Sequence, residues 1–143
     1  MWAALVVVLW TQSADLASVR LCVPNEAGQV QVELGFVRED GRVWWSEPPS
    51  LGTPRRLFNA SDHVTARGRA WFETREPLQV GGKTFAYIEP HQATWAFNRY
   101  YRDHDPVQGV AAAVPMGREM DTLLVLTDPI GCWFAEYRLE KTE

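Results

Sequence analysis

The chain has 143 residues, a formal net charge of −4, and 46% hydrophobic against 22% charged residues. That is ordinary globular composition and argues against disorder. Mild acidity, with no basic run longer than Arg55-Arg56 and the spaced Arg67 and Arg69, argues against a nucleic-acid partner, whose phosphates demand many basic contacts.

Met1 to Trp10 carries no charge and is apolar from Trp2 onward, and polar Thr11-Gln12-Ser13 and small Ala14 follow. This run is too short to cross ~30 Å of hydrocarbon, which takes about 20 apolar residues. It has the length of a signal-peptide apolar region with a small-residue exit. Residues 1–14 are therefore expected to be a signal peptide and residues 15–143 a single β-rich domain, periplasmic or secreted, with no membrane span after leader removal. The missing Lys or Arg before the run and Gln12 near the cleavage site depart from the usual pattern. A hydrophobic first element of a cytoplasmic domain is the competing reading. Arg20 shortly before Cys22 is foreign to a lipidation site.

Cys22 and Cys132 lie near the two ends of the expected mature chain. An even count in an exported domain favours a disulfide, here one placing the first and last strands side by side. Neither cysteine has a neighbouring His or a helix-start sequence to activate a thiol.

Further along, Val30, Val32, Leu34 and Phe36 alternate with Gln29, Gln31, Glu33 and Gly35, a strand period. Asp40-Gly41 then signals a two-residue hairpin loop, which pairs Phe36 with Trp45 in the core and Val37 with Trp44 on the opposite face. Pro48-Pro49 ends that second strand. Gly81-Gly82 signals another hairpin, pairing Leu78 with Phe85. Asp128-Pro129-Ile130-Gly131 suits a four-residue turn, with Leu124, Leu126, Trp133, Ala135 and Tyr137 on one face. Gly68–Thr74 and Val110–Val114 are further strand candidates. Ser61-Asp62-His63 suits one helical turn. Phe97, Tyr100, Tyr101 and His104 have helical spacing ahead of Pro106, although Trp95 and Phe97 also alternate as a strand would. Shifting the chain by 41 residues superposes Gly41-Arg42 on Gly82-Lys83, Asp62-His63 on Asp103-His104 and Gly68 on Gly109, a possible internal repeat. The expected fold is mainly β, a small antiparallel sandwich or barrel-like domain built from hairpins with at most one or two short helices.

Candidate chemistry is sparse. Asp62-His63 and Asp103-His104-Asp105 place acids beside imidazoles, but zinc-ligand spacings are absent, so no metal and no cofactor are expected. There is no Gly-x-Ser-x-Gly elbow and no glycine-rich loop before a helix. Glu33, Glu47, Glu73 and Glu89 are the strand-associated acids. Asn59-Ala60-Ser61 matches a glycosylation acceptor. Trp44 and Tyr87 stand among polar strand neighbours, where an aromatic ring can stack on a sugar or a peptide, and are the candidate ligand-binding residues. The sequence thus points to an exported, non-catalytic binding or structural module whose partner is an unknown protein or polymer of the cell envelope or extracellular space. The alternatives are a small secreted hydrolase using acids or His63 and His104, and a secreted inhibitor presenting the Pro48–Pro54 loop.

Overall fold

The computed structural model describes residues 17–46, 54–94 and 96–140. The apolar run at Met1–Trp10 and Pro48-Pro49 lie outside them. Among the described residues the strands are β1 (Ala17–Pro24), β2 (Val30–Val37), β3 (Val43–Ser46), β4 (Pro54–Phe58), β5 (Leu78–Val80), β6 (Lys83–Gln92), β7 (Tyr101–Val107), β8 (Val110–Pro115), β9 (Thr122–Asp128) and β10 (Trp133–Leu139). Two single-turn helices, α1 (Ala70–Glu73) and α2 (Phe97–Tyr100), and a 3-10 turn at Ala60–Asp62 complete the set. One sheet runs β1-β2-β3-β4 and the other β5-β6-β10-β9-β8-β7, so the fold is mainly β, as the hairpin pattern predicts. The chain divides into two compact units, one built on Glu33–Asn59 and one on Arg20–Val32 with Ala60–Glu143.

In the smaller unit the first hairpin differs from expectation by one residue. Phe36 pairs with Trp44 and Gly35 with Trp45. The reason lies in the loop, where Gly41 has φ +83 while Asp40 stays out of the positive-φ region. Gly41 N–H donates to the Arg38 carbonyl at 2.8 Å and Arg38 N–H to the Arg42 carbonyl at 2.9 Å. That is the three-residue connection of a type I turn followed by one left-handed residue, rather than a two-residue loop. Trp45 consequently lies half-buried against Phe58, ring centroids 4.9 Å apart, instead of behind Phe36 in a core.

In the larger unit the Gly81-Gly82 hairpin forms as read, with Leu78 opposite Phe85 and both glycines at positive φ. The hairpin from β9 to β10 forms too, but its faces differ. Leu126 opposes Phe134 and Leu124 opposes Glu136, whereas Val125 opposes Ala135 and Leu123 opposes Tyr137. An irregularity between Trp133 and Phe134, next to Cys132 at φ 58, shifts the register. Gly68–Thr74 is not a strand. Its bonds close locally: the Glu73 N–H donates to the Arg69 carbonyl and the Thr74 N–H to the Ala70 carbonyl, both at 3.0 Å, forming α1, and the Gly68 N–H donates to the Glu73 carboxylate. The helical spacing after Phe97 yields only α2, after which the chain extends into β7. Pro106 is tolerated there because β7 is an edge strand with irregular pairing between His104 and Val107. Ala60–Asp62 does make the short turn expected near Ser61. The 41-residue offset joins unlike structure: Asp62 ends a 3-10 turn while Asp103 lies within β7.

This six-stranded sheet is strongly curled. Three strands separate β6 from β7, which in a flat sheet is a distance of about 19 Å at ~4.8 Å per strand. Yet His91 Nε2 on β6 lies 2.8 Å from the Tyr101 hydroxyl on β7. The concave face holds Phe134, Leu126 and Leu124, with Phe97 stacked between Tyr101 and Phe134 at centroid distances of 5.0 and 6.0 Å. The convex face carries Tyr137, Tyr87 and Phe85, over which Trp71 and Phe72 of α1 pack. Burial on both faces is why β8 and β9 read as unbroken apolar runs.

Cys22 and Cys132 are disulfide-bonded, with Cα atoms 4.9 Å apart across 110 residues. The bridge does not set β1 beside β10. Instead it ties β1 to the turn between β9 and β10, where Cys22 N–H donates to the Pro129 carbonyl and Gly131 N–H to the Arg20 carbonyl. The turn before Cys132 brings the chain back to β1 before β10 begins. Replacing both cysteines with alanine is expected to lower unfolding stability by about 2–5 kcal/mol, read by denaturant titration under non-reducing conditions. An unchanged midpoint would mean that β1 is held by its hydrogen bonds alone.

Candidate functional site

The segment from Ala60 to Glu76 covers part of the convex sheet face and leaves the rest open. Ala66 anchors it, buried and donating its N–H to the Leu126 carbonyl at 2.8 Å. Its C-terminal end is fixed by two backbone bonds, Glu76 N–H to the Trp71 carbonyl at 2.9 Å and Arg75 N–H to the Phe72 carbonyl at 3.0 Å. These are the paired 6→1 and 5→2 bonds of a Schellman motif. The left-handed residue such a motif requires is usually glycine, whereas here it is Arg75, at φ 57. A side chain in that conformation costs about 1–2 kcal/mol.

That cost places the Arg75 guanidinium over the Tyr87 ring, 3.9 Å from its centroid. Tyr87 is itself wedged edge-on against Phe72 at 6.3 Å and Tyr137 at 5.6 Å. The ring named by the sequence as a stacking platform thus carries Arg75 over one face, and it lines the groove described next.

Beside this pair lies an open groove of about 400 Å³. Pro90, Ala135 and Trp133 line it at the sheet, with Arg67, Arg75 and Glu73 on the segment side. Trp133 is 38% exposed, a large apolar ring left in water. Arg67 makes only a long ion pair with Asp128, 3.8 Å between two solvent-reachable groups, worth at most about 1 kcal/mol. Glu73 already accepts the Gly68 N–H, and the Thr127 hydroxyl donates to the Trp133 carbonyl at 3.1 Å. Arg67 and Thr127 also line a second hollow of about 490 Å³, which contains Ser61, His63, Arg69 and Asp128. Arg67 and Arg69, which read as solvated surface in the sequence, therefore border the two hollows.

The other sequence candidates lie apart. His104 stands on β7 with Nδ1 2.7 Å from the Asp105 carbonyl oxygen and lines neither hollow, so it does not join His63 there. Among the described residues, no three His, Cys, Asp or Glu side chains are grouped to hold a metal ion. In the smaller unit Trp44 is half-buried, with the Arg38 guanidinium 5.0 Å from its ring and a buried indole N–H that has no hydrogen-bond partner.

Sequence reasoning missed His91 and Glu136. His91 bridges the Glu136 carboxylate (Nδ1 to Oε1, 3.1 Å) and the Tyr101 hydroxyl, and Arg138 holds the other Glu136 oxygen at 2.8 Å. Glu136 and Tyr101 are each 7% exposed, and burial pushes the Tyr101 phenol above its ordinary value. This Glu–His–Tyr chain has the order of a relay, but the hydroxyl at its end is inside the curled sheet. Its work is to satisfy buried polar groups. A His flanked by Pro90 and Gln92 gives no sequence signal for it.

No protein family, curated protein or solved structure matches this chain. The reading of the groove therefore rests on its own geometry.

Below the groove, burial first and the neighbouring Tyr87 second push the Tyr137 phenol up to about 12, against the pull of Arg75. Its hydroxyl has no hydrogen-bond partner. A phenol whose pKa is raised by folding contributes stability that is complete below pH ~10 and lost as pH rises towards ~12. Ultraviolet difference titration should show one tyrosine ionising near 12, absent in Tyr137→Phe. That variant deletes an unsatisfied buried hydroxyl, so it should match the parent in stability or gain about 1 kcal/mol. A loss of more than about 2 kcal/mol would show that the hydroxyl has a partner in solution.

Proposed function

We propose that this protein is an exported, non-catalytic binding module that holds a polymer or protein of the cell envelope or extracellular space in the groove beside Arg75. The observation that carries this reading is Arg75 itself. A non-glycine residue in the left-handed position of a Schellman motif is an avoidable cost, and backbone strain of that kind concentrates at ligand sites. Its side chain is held at the groove by Tyr87, pre-positioned rather than free to wander, which lowers the ordering cost of binding. The exposed Trp133 supplies the apolar surface that such sites combine with a few fixed polar groups.

Export is supported by the leader-like run Trp2–Trp10 and by the disulfide, since such bonds persist in oxidising compartments. No helix among the described residues is long and apolar enough to cross a membrane. Expressed with a secretory pathway, the product should begin between Ser13 and Ser18 on N-terminal sequencing.

Arg75→Gly separates folding from binding. Glycine relieves about 1–2 kcal/mol of left-handed strain and forfeits a cation–π contact of about 0.5–1 kcal/mol, so thermal stability should hold or rise slightly. Retention on an envelope or extracellular-matrix polymer fraction of the source organism should fall about 10- to 100-fold, the worth of a charge-assisted hydrogen bond of ~1.5–3 kcal/mol. Retention equal to the parent protein's would contradict this function.

A further inference from the structure

We infer that the ligand of this groove is an acidic oligosaccharide, a chain of sugar rings bearing carboxylates; this rests on the binding-module reading above. Three observations select that class.

The first is charge complementarity. The chain is acidic as a whole, at −4, yet Arg67 and Arg75 both line this groove, and Arg69 lines the adjoining hollow that shares Arg67. The groove's one acidic lining residue, Glu73, has an oxygen occupied by the Gly68 N–H. Arginine's planar fork matches a carboxylate with two parallel bonds.

The second is the aromatic surface. Trp133 stands 38% exposed at the groove, and Pro90, opposite Ala135 on the neighbouring strand, is exposed as well. These are flat apolar faces suited to the C–H side of a pyranose ring. Tyr87 does not compete for this role because Arg75 covers it.

The third excludes a peptide. The sheet floor of the groove comes from β6 and β10, and β10 is paired on both sides, with β6 and with β9. Along the ladders its main chain is engaged, and at the irregularity between Trp133 and Phe134 the Trp133 carbonyl takes the Thr127 hydroxyl instead, so an extended peptide laid there would lose water from its own N–H and C=O groups with little replacement. Strand addition needs an open sheet edge, and this is the middle of the sheet. A saccharide keeps its hydroxyls at the open mouth of the groove, in water, and buries ring faces. The volume of about 400 Å³ falls in the range of small-ligand sites and is too small for a folded partner.

The test is calorimetric titration of the disulfide-intact protein with a galacturonate trisaccharide, a neutral trisaccharide of the same linkage, and a triglutamate peptide. The uronate is expected to bind at least 10-fold more tightly than either control. Its affinity should fall at least 10-fold in Arg75→Gly and in Trp133→Ala, each still unfolding in one cooperative thermal transition close to the parent's. Affinity should also weaken as salt rises, because the arginine contacts are solvent-reachable. Equal binding of the neutral sugar overturns the acidic class, and equal binding of triglutamate overturns the saccharide. If no probe binds while Arg75→Gly still loses retention on the polymer fraction, the saccharide inference falls and the binding module stands. If that retention is unaffected as well, both fall.

Discussion

The contact between the His91 imidazole and the Tyr101 hydroxyl, 2.8 Å across strands that three others separate, is the constraint from which the larger unit follows. It requires a sheet curled tightly around its concave face. That curl brings a hydroxyl, an imidazole and a carboxylate into an interior where unpaired polar groups are costly. Glu136, pinned by His91 on one oxygen and Arg138 on the other, completes the pairing. Half-satisfied, such a network would favour a flatter sheet; satisfied, it specifies the curl.

A curled sheet has a convex back, and that back needs a cover. The segment from Ala60 to Glu76 supplies one with Ala66, Trp71 and Phe72, but it is short and turns away through α1. The Schellman turn that ends α1 sets where the cover stops. Beyond it the sheet lies open at Pro90 and Trp133, and the residue at the turn is Arg75. Groove and cation therefore arise from one local event, the end of a single-turn helix on a convex sheet. The Cys22–Cys132 bridge secures the other side of this region by fixing the turn that precedes Trp133.

Legibility in the sequence followed the strength of local backbone signals. Gly81-Gly82 demanded positive φ twice and yielded the right register. Asp40-Gly41 demanded it once, at Gly41, and the register slipped by one, which left Trp44 and Trp45 both half-buried instead of one in a core and one outside. In β9 and β10 both faces are buried, so Leu123–Leu126 carry no alternation from which a face could be read. Trp71-Phe72 suit a strand as well as a helix, and only the backbone bonds from Glu73 to Arg69 and from Thr74 to Ala70 decide. The groove was least legible. Tyr87 stands out as a strand aromatic among polar neighbours, but Arg75 looks like any exposed arginine until its φ is known. Trp133, read on one face with Ala135 and Tyr137, is exposed because the cover stops short of it, which no local sequence signal announces.

In the proposed binding mode the ligand meets this protein at Arg75 and Trp133 of the larger unit rather than at Trp44 of the smaller one. Titrating isotope-labelled protein with the galacturonate trisaccharide, and following indole Nε1–H and arginine Nε–H resonances, tests it directly. Shifts are expected to concentrate on Trp133, Arg75 and Arg67, with Trp44 and Arg38 unmoved. Shifts concentrated on Trp44 and Arg38, with Trp133 silent, would contradict it.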